Sequence, residues 1–253
     1  MRKAFDIEQT LQEMKYLWSG QVPHEDDFKY FQQLFGQNRR VTLLDCGANA
    51  GQSAISFLMN CPKGRVISFE PNPIYQPVLA GVQSLLGAER FEFHMEGLAD
   101  HETDQDLYIP YVDGFPYMQE ASMDLFQFEK PWVADRLKGY GEVLEIKITK
   151  AHFVTADSKN LKVDAIKIDA EGAEMLVLQG MRKTLLECKP ILLIENNDWL
   201  PVTEFLSIIG YKPYQWQPGA NRLIKKSGDS NNCFYLLKKH YIAQSIFKIL
   251  KLP

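Results

Sequence analysis

Disulfide frameworks, metal-binding cysteine pairs and a basic surface are all missing from this sequence. The four cysteines, Cys46, Cys61, Cys188 and Cys233, are widely spaced and form no C-x-x-C pair. They indicate free thiols in a reducing cytoplasm rather than a disulfide frame or a zinc site. The net charge of −4 and the pI of about 5.8 give no basic footprint for a nucleic acid or an anionic membrane. We therefore expect a cytoplasmic protein whose partner is small or neutral and is not a nucleic acid.

Long apolar runs are missing as well. No uninterrupted apolar stretch approaches the ~18 residues that a membrane helix needs. Residues 1–8 mix both charge signs without an apolar signal region, so no integral membrane segment is expected. With 253 residues, 45% of them hydrophobic, the chain is long enough for one large α/β domain, and two full domains would be cramped.

A glycine-rich turn is present in residues 41–51, which read VTLLDCGANAG. The short apolar run at residues 41–44 predicts a strand that is buried on both faces of a parallel sheet. Asp45 follows this run, and Gly47 and Gly51 allow a tight turn into a helix. Open α/β sheets bind ligands at such a strand-to-helix crevice. Asp45 and the two glycines are therefore candidate binding residues.

A second short apolar run ends in Glu70, about 20 residues after the glycine turn, which is the offset expected for a carboxylate that holds a ribose. The turn reads G-x-x-x-G, so it lacks the third glycine of the dinucleotide fingerprint, and no Gly-Lys-Ser/Thr follows. A pyrophosphate ligand is therefore disfavoured. S-adenosylmethionine fits better, because it carries an adenosine and no phosphate. The alternative role for Asp45 and Glu70 is the capping of helix N-termini.

The remaining chain predicts a helical cover and a sheet domain with an insertion. Apolar residues at helical spacing within residues 1–40 predict two helices that cover one edge of the sheet. The sheet domain takes residues 41–239 and ends in a closing hairpin, which makes about seven strands. Strand–helix alternation fails in an aromatic-rich insertion at residues 101–160. Its rings either stack on a sugar or ring substrate or pack the insertion onto the domain.

Residues 240–253 carry an amphipathic stripe, which predicts a C-terminal helix. The stripe suits docking on the domain or the pairing of two subunits into a homodimer. Contact with a membrane surface is disfavoured, because two lysines on a net acidic protein give weak attraction to anionic lipids.

Five short motifs follow one another along the sheet domain. They are LDCGANAG at residues 44–51, SFEPN at residues 68–72, TAD at residues 155–157, IKIDAEGAE at residues 166–174 and VLQG at residues 177–180. With these motifs the chain resembles the FkbM family of methyltransferases. The resemblance implies a Rossmann-like, seven-stranded class I methyltransferase sheet with helices on both faces. It also implies S-adenosyl-L-methionine as cofactor and methyl transfer to a hydroxyl of a sugar, glycan or natural product.

The glycine turn, the strand ends and these motifs together give the candidate cofactor-binding residues. Gly97 follows the third predicted strand, close to where an adenine base is expected. The full set is Asp45, Gly47, Asn49, Gly51, Glu70, Pro71, Asn72, Gly97 and Asp169.

Methyl transfer from a sulfonium is an in-line displacement, so the protein must align an acceptor oxygen and manage one proton. Burial near another carboxylate raises the pKa of an acid, and Asp169 or Glu195 is therefore the first choice for the base. Glu171 is a further catalytic candidate, and its alternative role is a favourable charge at a helix N-terminus. His152 is a candidate because it follows a strand-like run; its alternative role is structural.

A divalent metal is predicted at the same end of the sheet. Asp169 ends one parallel strand, and Glu195 and Asn196 end the next. Hard oxygen ligands suit Mg²⁺ or Mn²⁺, and a bound ion lowers the pKa of an acceptor hydroxyl. The alternative is that these side chains act through hydrogen bonds alone.

Two other functions remain open at this point. The first is a catalytically silent module that keeps the fold to bind a nucleoside or a glycan. The second is an NAD-dependent oxidoreductase, which the missing third glycine disfavours.

Overall fold

The computed structural model describes residues 5–118, 121–142, 144–195, 199–217, 219, 222–226 and 232–240. Nearly all of the C-terminal helix predicted for residues 240–253, and Asn196 of the predicted metal site, lie outside these ranges. In the described part of the chain, no helix is both long enough and apolar enough to cross a membrane.

The strands and helices are numbered in chain order. The strands are β1 (Thr42–Cys46), β2 (Arg65–Phe69), β3 (Phe91–His94), β4 (Gly97–Leu98), β5 (Thr103–Val112), β6 (Phe115–Pro116), β7 (Leu144–Val154), β8 (Ala165–Ile168), β9 (Ile191–Glu195), β10 (Lys212–Gln217), β11 (Arg222–Lys225) and β12 (Asn232–Leu236). The α-helices are α1 (Ile7–Gly20), α2 (Phe28–Phe35), α3 (Gln52–Asn60), α4 (Gln76–Leu86), α5 (Pro131–Lys138), α6 (Glu174–Gln179), α7 (Arg182–Cys188) and α8 (Trp199–Ile208).

The main sheet has the strand order β11-β10-β12-β9-β8-β1-β2-β3. The five strands from β9 to β3 are parallel. Strand β12 is antiparallel to β9, β10 is antiparallel to β12, and β11 is antiparallel to β10. The predicted α/β class is therefore confirmed. The sheet has eight strands rather than about seven, because β11 lies in the chain between the two strands of the predicted closing hairpin, where alternation predicts no strand. β11 has four residues, of which only Leu223 is buried, and this is too short for alternation to reveal a strand.

Helices cover both faces of the main sheet, as predicted. Successive residues of a strand point to opposite faces: Leu43 packs in a core with α1 to α4, and Leu44 packs in a second core with α6 to α8. Helix α2 covers a face of the sheet rather than its edge, and α1 packs on α3 and α4. Tyr30 of α2 lies against the rings of Trp216 and Phe234, with centroids 4.9 and 5.1 Å away. These aromatic contacts decide the position of α2, and apolar spacing alone does not reveal them.

The predicted insertion contains a second sheet, in the order β4-β7-β5-β6. Its main part is the antiparallel pair β5 and β7, which stays in register from Thr103 opposite Phe153 to Val112 opposite Leu144. The rings of Tyr117 and Tyr140 stack at 4.1 Å.

The insertion aromatics pack on one another or face solvent. Phe128 packs with α5, whereas Phe115, Phe126 and Trp132 are exposed. None of these four rings, nor that of Tyr117, lines the cavity described below. The predicted stacking of these rings on a substrate is therefore not supported.

Candidate active site

A cavity opens at the carboxyl ends of the parallel strands, between the main sheet and the insertion. Gly47, Glu70 and Asp169 line it from the ends of β1, β2 and β8. Gly97 of β4 and Phe153 of β7 also line it. The insertion adds apolar side chains to the wall, and these are Leu107, Met118, Ala121 and Met123. The cavity therefore has the position that open α/β sheets use for ligands.

The Glu70 carboxylate is held in place by two backbone groups. Its Oε2 accepts a hydrogen bond from Asn49 N–H at 2.7 Å, and its Oε1 accepts one from Asn72 N–H at 2.9 Å. Asn49 has a φ of 50°, and this left-handed conformation is one that Asn tolerates. Burial raises the pKa of Glu70 to about 7, and the two N–H donors oppose that rise. Each carboxylate oxygen keeps a free lone pair, so Glu70 can still accept hydrogen bonds from a ribose diol.

Asp45 lies beneath the cavity rather than in its wall. The strand register places Asp45 opposite Ser68 on β2 and opposite Lys167 on β8, so the three side chains share one face of the sheet. Ser68 Oγ donates to Asp45 Oδ2 at 2.7 Å, and Lys167 Nζ lies 3.8 Å from Asp45 Oδ1. Burial raises the pKa of Asp45, and Lys167 opposes this. The structure therefore does not bring Asp45 to the predicted cofactor contact. Instead, Asp45, Ser68 and Lys167 form a buried polar group beneath the cavity, which we call its floor.

Two glycines allow close approaches that no side chain permits. A Cβ at Gly47, where φ is +86°, would lie 1.9 Å from the carbonyl oxygen of Asp169. A Cβ at Gly97 would lie 2.1 Å from the Phe153 ring.

Gly51 and Asn72 lie outside the cavity wall, whereas Pro71 is part of it. Gly51 instead precedes α3, and Asn72 accepts from Ile74 N–H at 3.2 Å to cap the turn after Pro71.

The acidic end of the cavity is organised by a buried lysine. Lys167 Nζ donates to Asp169 Oδ2 at 3.0 Å and to the Gly47 carbonyl oxygen at 3.2 Å. Burial alone would lower the pKa of Lys167, but Asp169 and Asp45 raise it above its ordinary value. Lys167 is therefore a permanent cation that links the floor, the glycine turn and the site carboxylate.

Asp169 and Glu195 have opposite protonation states. Burial would raise the pKa of Asp169, but Lys167 and a hydrogen bond with Glu195 hold it below its ordinary value. Burial, the Asp169 charge and the same hydrogen bond raise the pKa of Glu195 to about 10. Glu195 therefore carries a proton at neutral pH and donates it in a hydrogen bond to the Asp169 carboxylate. Of the two acids predicted as base, only Asp169 is ionised.

Glu171 completes a group of three acids. Oxygens of Asp169, Glu171 and Glu195 all lie within 4.8 Å of one another. Glu171 precedes α6, has a left-handed φ of 47° and lines the cavity. The predicted metal set contained Asn196, which lies outside the described residues, and the structure places Glu171 beside the other two acids instead.

His152 lies away from this group. It is on β7 opposite Asp104 of β5, and its Nδ1 is 2.8 Å from Asp104 Oδ1. The side chain is 41% exposed and does not line the cavity. Its neighbour Phe153 points into the cavity, because successive residues of a strand face opposite sides. The structure therefore does not bring His152 to the site, and no role follows for it.

The segment between α1 and α2 reaches the acidic end, which sequence reasoning missed. His24 N–H donates to Ser56 Oγ of α3 at 2.7 Å. Asn232 Nδ2 donates to Glu25 Oε2 and to Asp27 Oδ2, both at 2.9 Å, and Asn232 lies opposite Glu195 in the sheet. Burial lowers the pKa of His24, and the charges of Glu25, Lys167 and Asp169 also act on it. The segment between α1 and α2 thus places polar groups near the acidic end, but none of them lines the cavity.

The fold and the site define a Rossmann-like class I methyltransferase, and comparison with known proteins agrees. Residues 45–213 match the family model described as Methyltransferase FkbM domain. Methyltransferase 1 of Beauveria bassiana (strain ARSEF 2860) is 22% identical over 188 residues, which cover 63% of this chain and 76% of that protein. The chain belongs to the FkbM methyltransferase family and is an S-adenosylmethionine-dependent methyltransferase.

The fold also occurs in a solved structure of the same family. The crystal structure of Methyltransferase FkbM from Methylobacillus flagellatus KT has a TM-score of 0.50 at 18% identity, and the match covers 90% of this chain and 57% of that one. This chain therefore spans little more than half of that relative. The MycE methyltransferase of the mycinamycin biosynthetic pathway, solved with Mg and SAH, has a TM-score of 0.38 at 11% identity, covering 93% of this chain and 49% of that one. A likeness at that level says nothing about a metal in this chain.

Proposed function

We propose that this methyltransferase acts on a hydroxyl of a small-molecule or glycan acceptor: a sugar, a glycan or a natural product. The observation that carries the proposal is the placement of Glu70 and Asp169 on one cavity wall, at the ends of β2 and β8. One carboxylate suits a ribose diol, and the other is ionised and suits an acceptor hydroxyl.

The cofactor end is formed by Glu70 and its surroundings. Glu70 is presented to the ribose by the N–H groups of Asn49 and Asn72. Gly97 and Leu98 line the cavity, as does Met118 of the insertion. These residues suit an adenosine, and S-adenosyl-L-methionine supplies the sulfonium methyl when bound.

At the acceptor end, Asp169 is the group that we assign to the acceptor proton. Its carboxylate is ionised and fixed by Lys167 at 3.0 Å. A fixed carboxylate can align the acceptor hydroxyl by accepting its hydrogen bond and can take its proton as the oxygen is methylated. Glu195 holds its own proton, so it positions Asp169 rather than acting as the base. Glu171 borders the same space.

The same three acids fit a hard divalent cation once Glu195 has lost its proton. Carboxylate oxygens within 4.8 Å of one another are the donors that Mg²⁺ and Mn²⁺ prefer. When bound, such an ion supplies Lewis-acid activation of a hydroxyl. Because Glu195 has a pKa of about 10, protons compete with the metal, and Mn²⁺ affinity should rise with pH. Mn²⁺ binding that is independent of pH, or unchanged in Glu195→Gln, would contradict this ligand set.

The function is tested by cofactor binding and by methyl transfer. We expect calorimetry to show binding of S-adenosylhomocysteine and no binding of NAD. Incubation with labelled S-adenosylmethionine and cell extracts should yield a labelled small molecule or glycan. Glu70→Ala should weaken cofactor binding and lower the yield of labelled product, whereas Glu13→Ala, an exposed acid on α1, should change neither. Cofactor binding without any labelled product would favour the silent binding module over the enzyme.

We also propose a division of the chain into a domain, its insertion and a helical cover. We assign residues 41–239 to the methyltransferase domain, residues 101–160 to its insertion and residues 1–40 to the helical cover. Cys46, Cys61, Cys188 and Cys233 are free thiols, which supports a cytoplasmic location.

A further inference from the structure

Strand β7 of the insertion has one long open edge. On one side β5 pairs with it from Leu144 to Phe153. On the other side β4 pairs only with Phe153 and Val154. Within the described residues, no strand pairs with that second side over residues 144–152. A row of backbone N–H and C=O groups is therefore presented for pairing with a further strand.

The side chains along this edge are unusually apolar for an exposed strand. Leu144 is 48% exposed and Ile148 is 60% exposed. Ile146 lies between them on the same side of the strand and is partly buried against Val112, Phe128 and their neighbours. Sheet edges in monomeric proteins are normally blunted by charge, proline or a covering segment.

We propose that a second copy of this chain pairs with this edge, β7 to β7, in antiparallel orientation about a two-fold axis at Ile146. In this register Leu144 lies opposite Ile148 of the second copy. Glu145 lies opposite Lys147 of the second copy, and the two-fold axis repeats each pair. The interface is thus self-complementary in both apolar contact and charge, as a two-fold interface must be.

The charges select this register over its neighbours. Moving the axis by one residue to Lys147 places the two copies of Lys147 opposite each other. Moving it by one residue to Glu145 places two glutamates opposite each other. Like charges directly opposite in a sheet are destabilising, whereas opposite charges are stabilising. Lys147 and Lys150 alone would protect the edge, but Lys147 becomes a specificity element when it meets Glu145 of the second copy.

Both lysines are exposed and anchored within their own chain. Lys147 Nζ lies 3.8 Å from the centroid of the Tyr111 ring, and Lys150 forms an ion pair with Asp106. In the single chain both side chains therefore lean towards β5, and on pairing Lys147 exchanges its contact with Tyr111 for Glu145 of the second copy. None of the edge residues from Leu144 to Lys150 lines the cavity, so this interface is independent of the proposed function.

The charge pairs give a direct test of this interface by light scattering or sedimentation. Wild type should have twice the chain mass of 29.1 kDa and should dissociate on dilution. Glu145→Lys and Lys147→Glu should each give the monomer mass, because each creates two like-charge contacts. The double variant Glu145→Lys/Lys147→Glu should restore the dimer. Lys138→Glu, an equal charge change on an exposed residue of α5, is the control and should remain dimeric.

A cysteine at the axis reports the register. Directly opposite residues of antiparallel strands have Cα atoms about 4.5–5.5 Å apart, which suits a disulfide. Ile146→Cys should therefore form a covalent dimer on mild oxidation, whereas Ile148→Cys should not. The native cysteines are buried or half-buried, and wild type gives the background.

Three results would overturn the interface. The first is a wild-type protein that stays at the monomer mass of 29.1 kDa at every concentration. The second is a dimer that survives both single charge reversals. The third is cross-linking of Ile148→Cys as readily as Ile146→Cys. Circular dichroism of each variant separates loss of pairing from loss of folding, and S-adenosylhomocysteine binding should be unchanged throughout.

Discussion

The carboxyl group of Glu195 donates a hydrogen bond to the carboxylate of Asp169. The two acids lie at the ends of adjacent parallel strands, β9 and β8, where two negative charges would repel each other strongly. One proton and the Lys167 ammonium resolve that repulsion. The site therefore has one ionised acid, Asp169, at the acceptor end and one neutral acid, Glu195, that is hydrogen-bonded to it.

Glu70→Ala should weaken S-adenosylhomocysteine binding by about 2 kcal/mol, roughly thirtyfold, because charge-assisted hydrogen bonds to a buried carboxylate are the strong ones. Calorimetry on a folded variant measures this change. Unaltered affinity would remove Glu70 from the ribose contact.

The same carboxylate predicts a pH dependence of cofactor binding. The ribose diol needs the ionised form of Glu70, whose pKa is raised to about 7 in the ligand-free protein. Affinity should therefore fall as the pH drops through about 7, by up to tenfold per pH unit. Glu70→Gln, which has no titrating group at this position, should bind more weakly and lose that dependence. Calorimetry from about pH 8 to about pH 6 gives both curves, and a pH-independent wild type would contradict the role of Glu70.

Lys167→Met should destabilise the fold by roughly 3–5 kcal/mol, because removal of one member of a buried ion pair leaves an uncompensated charge. Here the uncompensated groups are Asp45 and Asp169. Urea unfolding measures the loss. Lys167→Met/Asp45→Asn should recover part of it, since the floor then no longer contains a buried carboxylate. A single variant as stable as wild type would show that the pair adds nothing to folding.

Gly47→Ala should be far more disruptive than Gly36→Ala. Both glycines have positive φ, so both substitutions carry backbone strain of roughly 1–3 kcal/mol. At Gly47 the new Cβ would also meet the Asp169 carbonyl oxygen at 1.9 Å, whereas nothing lies within 4 Å at Gly36. Thermal unfolding and S-adenosylhomocysteine binding of the two variants measure the difference. Equal effects at both positions would mean that β1 and β8 do not need this close approach.

The sequence alone predicted the cavity and its main acids. Each of Glu70, Asp169 and Glu195 stands at the end of a short, largely apolar run that predicts a buried strand, and parallel strands bring their ends together. The glycine turn after β1 is equally local, because Gly47 and Gly51 carry the signal themselves. Such features can be predicted from the sequence, because residues that are adjacent in the chain determine them.

Other features depend on contacts between distant parts of the chain. The position of Asp45 follows from its register with Ser68 and Lys167, which no single strand reveals. Asn232 meets Glu25 across 207 residues of sequence, so the approach of the N-terminal segment to the site has no local signal. His152 is predicted near the site but lies on the opposite side of β7, because its neighbour Phe153 faces the cavity.

The central claim is that Asp169 takes part in methyl transfer rather than in cofactor binding alone. The most direct measurement compares Asp169→Asn with wild type in two assays: affinity for S-adenosylhomocysteine and transfer of labelled methyl groups to the product found in cell extracts. Asp169→Asn keeps the shape of the side chain and removes its basicity, so we expect similar affinity and a methyl transfer rate lower by roughly a hundredfold or more. Wild-type transfer by a variant that binds the cofactor normally would contradict the account.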